Sequence, residues 1–328
     1  MMVLKQCGLG FLVLLFLFSG CNAQEQYYAD QGQVFHTSYS IKYKFKKPLT
    51  EEINKRLQEY DLSMNPFNRN SIIYKVNNNV EVEVDKWFTQ VFNKAVEASE
   101  ISGGTYDITA APLFNLWGFG YEKIDDISQK TIDSLKQFIG YKKIHLVGKK
   151  VVKDDPRIQI NTSSIAKGHS CDVVAELLES YGVKDYMVEI GGEVRARGKN
   201  QRDVCWRIQL TDPTKAEDPQ DKGIGVLELC DCAVATSGNY RNYREIDGKK
   251  YGHTIDPISG YPIQTDVISV SVLYPDCMTA DAFATVFMTQ GLKNSLAIAS
   301  QYPEMKYVIV YVDSESGELK IAANTKLL

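Results

Sequence analysis

The chain carries few of the residues that announce a chemistry. Four histidines are spread through 328 residues, no CxxC pair occurs, and the GxxxxGK[ST] spacing of a phosphate loop is absent. Positive charge is not in excess: the formal net charge of −4 gives no electrostatic reason to expect nucleic-acid binding. Basic runs such as Lys44-Phe45-Lys46-Lys47 are short and read as solvated surface. Cysteine is sparse too. Beyond Cys7 and Cys21 there are Cys171, Cys205, Cys230, Cys232 and Cys277, enough for at most one or two disulfides in a chain too long to need them. Cys230-Asp231-Cys232 hints at a metal, but that spacing on a strand completes no ligand set, and buried thiols are the plainer reading.

What is present begins with a targeting segment. Lys5 supplies a positive start, and the apolar run from Gly8 to Phe18 is too short for a mature membrane span. It ends in Phe18-Ser19-Gly20-Cys21, the pattern of a bacterial lipoprotein cleavage site. The alternative is an ordinary secretory signal with an incidental cysteine. The lipoprotein reading makes residues 1–20 a signal peptide, Cys21 the diacylated first residue, 21–33 a polar tether and 34–328 the folded domain. A domain of that size buries a large core.

Along the domain, Thr37 to Lys46 alternates and predicts a strand, and Thr50 to Tyr60 predicts a helix. The turn-rich stretch from Asp61 to Ser71 reads either as a functional wall or as a surface turn with one buried aromatic. Val84 to Ser99 repeats aromatic and aliphatic residues at helical spacing and stops at Ser102-Gly103-Gly104. Trp117-Gly118-Phe119-Gly120 lets backbone approach a ligand beside flat side chains. Further on, the reading is a helix over Ser128 to Gly140, a hairpin over Ile144 to Val152, a short strand over Ile158 to Asn161 and a helix over Cys171 to Tyr181. The Ser/Gly loop before that last helix, with Lys167, is a candidate anion site. Strands at Tyr186 to Ile190, Trp206 to Leu210 and Gly225 to Leu229, with hairpins between 190 and 235, point to an α+β fold rather than a doubly wound sheet.

The chemistry concentrates between Ala235 and Thr285. With Thr279 as N-cap of a helix, Asp281 and Thr285 are i and i+4 and stack their oxygens on one face. A carboxylate and a hydroxyl so placed suit Mg²⁺. The bland alternative is a first-turn Asp favoured by the helix dipole and a Thr bonded back to the backbone. His253-Thr-Ile-Asp256-Pro-Ile-Ser-Gly260 is a turn that presents His253 and Asp256 together. Either His253 moves a proton or Asp256 acts as base; the alternative is a histidine bonding the loop backbone.

At these residues the chain resembles the FAD:protein FMN transferase (ApbE) family of bacterial envelope flavin-trafficking lipoproteins. The blocks are NPFNRNSIIYKVN at 65–77, GGTYDITAAPLFNLWGFG at 103–120 and SSIAKGHSCDVVAELL at 163–178. EIGGEVRARG at 189–198, ATSGNYRNY at 235–243, HTIDPISGYP at 253–262 and CMTADAFATVFMTQG at 277–291 follow in family order. The resemblance implies a single compact, T-fold-related α+β unit of two lobes, with mixed or antiparallel sheets and flanking helices. It also implies an enzyme that cleaves FAD at its pyrophosphate with Mg²⁺, joins FMN by a phosphoester to a Ser/Thr of a partner protein, and releases AMP.

Carried over by position, Asp281 and Thr285 match the side-chain metal ligands, and a carbonyl at Ser164 or Ala166 matches the backbone ligand. Flavin contacts fall on Phe35, Phe67, Trp117, Gly118, Phe119, Asn161, Lys167 and Ile255, and the catalytic block on His253 and Asp256. Three residues depart from the family pattern. Phe35-His36-Thr37 stands for Met-Gly-Thr, Asn161 for a common Asp, and His169 for an aromatic. The partner implied is a Ser/Thr-containing protein of an envelope electron-transport complex, reached by a domain outside the cytoplasm and lipid-anchored through Cys21. Competing readings are a metal-dependent FAD pyrophosphatase and a flavin-binding lipoprotein without turnover.

Overall fold

The first two strands, β1 (Gln26–Val34) and β2 (Thr37–Phe45), pair antiparallel through the two-residue turn Phe35-His36. Both turn residues have positive φ, 51° and 60°, a geometry that tight hairpins demand and that bulky side chains resist. Residues 26–33, expected in the tether, therefore belong to the sheet. The computed structural model describes residues 24–120, 127–215, 218, 220–239, 243–246 and 249–328; the signal peptide, Cys21 and positions 240–242 of the 235–243 block lie outside these.

Helix α1 (Thr50–Met64) runs four residues past its expected end, because Leu57, Tyr60 and Met64 keep one face buried. After the turn at Asn65–Ser71 comes α2 (Ile72–Asn77), capped by Ser71 and not anticipated. In α3 (Lys86–Ile101), Asp85 caps the start and the aromatic stripe Trp87, Phe88, Phe92 lies in the core. The short α4 (Ala111–Leu116), also not anticipated, precedes Trp117, and α5 (Gln129–Lys136) is capped by Ser128. A hairpin of β3 (Ile144–Val147) and β4 (Lys150–Lys153) follows. Residues 158–161 form no strand: the Asn77 side chain clips both backbone groups of Ile160, at 2.7 and 2.9 Å, and Asn161 N–H donates to Ile108 O.

Helix α6 (Ala166–Ser180) leads to β5 (Tyr186–Ile190), β6 (Glu193–Arg197), β7 (Trp206–Leu210), β8 (Gly225–Leu229) and β9 (Cys232–Gly238). The ribbon β10 (Tyr243–Ile246) and β11 (Lys249–Gly252), strand β12 (Val267–Tyr274), helix α7 (Cys277–Ala299), and β13 (Lys306–Val312) with β14 (Leu319–Ala323) complete the order. Eight strands form one antiparallel sheet in the order β1-β2-β5-β6-β9-β12-β13-β14. Period-two alternation sorts its side chains between two cores. Tyr186, Val188 and Ile190 pack with α1 and α6, whereas Met187, Val194 and Val234 pack under the β7–β8 ribbon. The result is α+β, with helices on one face and the ribbon on the other.

Cys230, expected as a buried thiol, is instead joined to Cys205 in a disulfide that closes the open end of the ribbon, within the one or two bridges the cysteine count allows. Asp231 at φ 58° turns the chain between Cys230 and the free, half-buried Cys232, so the two sulfurs are not a pair. Among the described residues no helix is long and apolar enough to cross a membrane.

Candidate functional site

The site is built where α6 and α7 start. Helix α6 begins one turn earlier than its apolar pattern predicts, which brings Lys167 and Gly168 into its first turn. Helix α7 begins at Cys277 with Asp276, not Thr279, as N-cap; Asp276 accepts from Thr279 N–H at 2.7 Å. Asp172 of α6 also accepts from the N–H groups of Cys277 and Met278, both at 2.8 Å, tying the two helices together. Gly168 makes their approach possible. A Cβ there would lie 2.3 Å from Cys277 O and 2.7 Å from Asp281 Cβ.

This approach positions the oxygens that the resemblance assigns to a cation. Asp281, only 3% exposed, accepts from Gly168 N–H at 2.9 Å. In a regular first turn that N–H closes onto Ser164 O; directed to Asp281, it leaves the Ser164 carbonyl without a donor among the described residues. The Ala166 carbonyl, in contrast, accepts from Tyr60 OH at 2.9 Å. Thr285 sits one turn below Asp281, its hydroxyl 3.3 Å from that of Ser237 on β9. No group of three or more His, Cys, Asp or Glu among the described residues is placed to hold a metal. One carboxylate, one hydroxyl and one open carbonyl nonetheless fit Mg²⁺, which takes few protein ligands and keeps its other positions for phosphate and water.

Lys167 lies between two acids, with Nζ 2.8 Å from Glu193 Oε1 and 4.0 Å from Asp281 Oδ2. Burial raises both carboxyls above the ordinary range, and Lys167 pulls them back down. Lys167 itself is held above its usual value by the two carboxylates, against the pull of burial. The directions are compatible: the lysine answers to two negative charges, each carboxylate to only one positive.

The turn after β11 supplies another part of the wall. His253 sits with its ring centre 6.2 Å from that of Phe119. Ile255 bridges to Pro262 and packs with Trp117, whose Nε1 donates to Gly260 O at 2.9 Å. Asp256 accepts from the N–H groups of Ile258 and Ser259, so its carboxylate shapes the turn.

One cavity of about 1070 Å³ unites Phe119, Asn161, Ser164, Lys167, His253, Ile255, Asp281 and Thr285. Phe35, Phe67, Trp117, Gly118 and Asp256 are not on its walls. Trp117 and Asp256 brace the 253–262 turn, and Gly118 turns the chain at φ 79°. Phe35 stacks edge-on with Tyr60, while Phe67, 55% exposed, meets His36 at 4.7 Å. The wall that sequence reasoning missed is Glu193 together with Trp206, Ile208 and Leu210 of the ribbon. Its signal was the Gly191-Gly192-Glu193 turn.

A buried acid, a lysine and two helix starts line one large cavity together with a histidine turn, in an α+β protein whose cavity chemistry suits an anionic ligand. The family model of ApbE matches residues 35–309, and the chain belongs to the ApbE family. The FAD:protein FMN transferase of Vibrio cholerae (strain O395) is 36% identical over 327 residues, covering 96% of each chain. That of Haemophilus influenzae is 33% identical over 325 residues, 94% of this chain and 93% of its own. Among solved structures, Flavin Transferase ApbE from Vibrio cholerae gives a TM-score of 0.81 at 32% identity, over 92% of this chain and 98% of that one. The ApbE protein of Thermotoga maritima gives 0.77 at 29% identity, over 90% and 96%.

Proposed function

We propose that the chain is a Mg²⁺-dependent FAD:protein FMN transferase that moves FMN from FAD to a Ser/Thr hydroxyl of a partner protein. The observation that carries this reading is the convergence of His253, Lys167, Asp281 and Thr285 on one cavity of dinucleotide size. Lys167 faces the diphosphate, and Phe119 and Ile255 line the cavity beside the histidine. Asp281, Thr285 and the Ser164 carbonyl would hold Mg²⁺, which would offset charge on the phosphates. His253 takes the proton from the acceptor hydroxyl as its oxygen attacks the flavin-side phosphorus. The bond from that phosphorus to the bridging oxygen breaks, and AMP leaves. Asp256 contributes by holding the turn that carries His253. The lipid on Cys21, the envelope location and an acceptor in an envelope electron-transport complex belong to the same proposal.

The test is to incubate mature protein with FAD, Mg²⁺ and an acceptor peptide of the Ser/Thr-Gly-Ala-Thr kind, and read the peptide mass. Wild type adds FMN; Asp281→Ala and His253→Ala do not. Full labelling by Asp281→Ala removes the metal role. AMP released without any labelled peptide makes the protein a pyrophosphatase instead.

A further inference from the structure

We infer that Glu193 is a substrate-positioning residue whose second carboxylate oxygen accepts a hydrogen bond from a sugar hydroxyl flanking the diphosphate; this rests on the nucleotide reading above. Three buried side-chain atoms among the described residues have no hydrogen-bond partner: Asp30 Oδ2, Trp87 Nε1 and Glu193 Oε2. Glu193 alone of the three residues lines the cavity. Such orphans are uncommon in folded proteins and ask for a partner the chain does not supply.

The surroundings restrict what that partner is. Glu193 is 4% exposed, and its Oε1 is engaged by Lys167 Nζ at 2.8 Å. Paired with the Lys167 ammonium, Glu193 is read as the carboxylate, which only accepts hydrogen bonds, and diphosphate oxygens likewise only accept. The ligand atom that meets Oε2 is therefore a donor, close to Lys167 and Asp281. In a dinucleotide, the donors adjoining the diphosphate are hydroxyls: those of the ribityl chain on the flavin side and of the ribose on the adenosine side.

Gly191 and Gly192, just before Glu193, have φ of 66° and 99°, and a Cβ on Gly191 would press on the Lys167 side chain at 3.0 Å, so the turn lets Lys167 lie against Glu193. The same carboxylate does a second job. By drawing Lys167 to 2.8 Å it keeps the ammonium at 4.0 Å from Asp281, whose carboxylate stays available to a cation.

The experiment measures FAD affinity by stopped-flow flavin fluorescence, with Mg²⁺ and no acceptor, for wild type and Glu193→Gln. Two analogues are compared with FAD: one lacking ribityl hydroxyls, the other carrying 2′,3′-dideoxyadenosine. Wild type should bind one of them about tenfold more weakly than FAD, and which one names the hydroxyl's source. Glu193→Gln should bind FAD about tenfold more weakly than wild type and no longer distinguish that analogue. A merely structural role leaves that discrimination intact. Equal discrimination by both proteins, or unchanged FAD affinity in the variant, overturns the inference. So does wild type binding both analogues as tightly as FAD, a result that stands even if the variant fails to fold. Wild type binding no FAD at all defeats the functional reading itself.

Discussion

His169 occupies a buried position on α6, its Nδ1 3.1 Å from Tyr60 OH. Burial, reinforced by the charge of Lys86, lowers its pKa from 6.5 to about 4. Above pH 6.5 the ring is neutral in the folded and unfolded chain alike. As pH falls from there toward about 4, the unfolded chain takes up a proton that the folded one refuses, and stability drops. The expected loss from this residue is about 2 kcal/mol by pH ~5. Urea unfolding at about pH 7.5 and pH 5 should show a smaller acid loss in His169→Phe by that amount; Tyr60 keeps its bond to Ala166 O. At this scale, chemistry was readable where residue type is decisive. That Asp281 and Thr285 share a helix face follows from their spacing, while a metal role for them came only from the family resemblance. Asp256 was not readable as a turn brace, because a carboxylate beside a histidine looks the same in one dimension whether it faces substrate or two amides. Glu193 was marked only by the two glycines before it, which show a tight turn but not that the acid beyond it is buried beside Lys167.

The joint between α6 and α7 is the element on which the proposed cation site depends. Gly168→Ala tests it. Helix propensity alone favours alanine by about 1 kcal/mol, so a net loss measures the contact with Cys277 O. We expect a net destabilisation of about 1–3 kcal/mol in urea unfolding, with peptide labelling falling in parallel. Long periodic elements such as α3, and the strands β5, β7 and β8, stand where their patterns put them. Errors cluster at ends and at short pieces. Polar residues hid β1 because an edge strand needs little apolar surface, and Asn77 took over backbone groups that a strand at 158–161 would have paired. Helix α7 starts at Asp276 because a carboxylate two residues after a strand caps as well as the threonine further on.

Across the whole molecule the ribbon β7–β8 is attached to the sheet by its apolar underside and clasped by Cys205–Cys230. The disulfide spans 25 residues, a closure worth about 3.5 kcal/mol in the chain-entropy account. Paired Cys205→Ser and Cys230→Ser substitutions should lower unfolding stability by about that much. FAD affinity should weaken with it, since Trp206 and Leu210 are cavity wall, and a titration with and without reductant checks both. On the lipid-anchor proposal, the early start of β1 has a spatial consequence. With Gln26 already in the sheet, residues 22–25 are the entire leash, about 14 Å at full stretch. The domain would ride the bilayer surface at arm's length, and an acceptor hydroxyl would have to come down to meet it there.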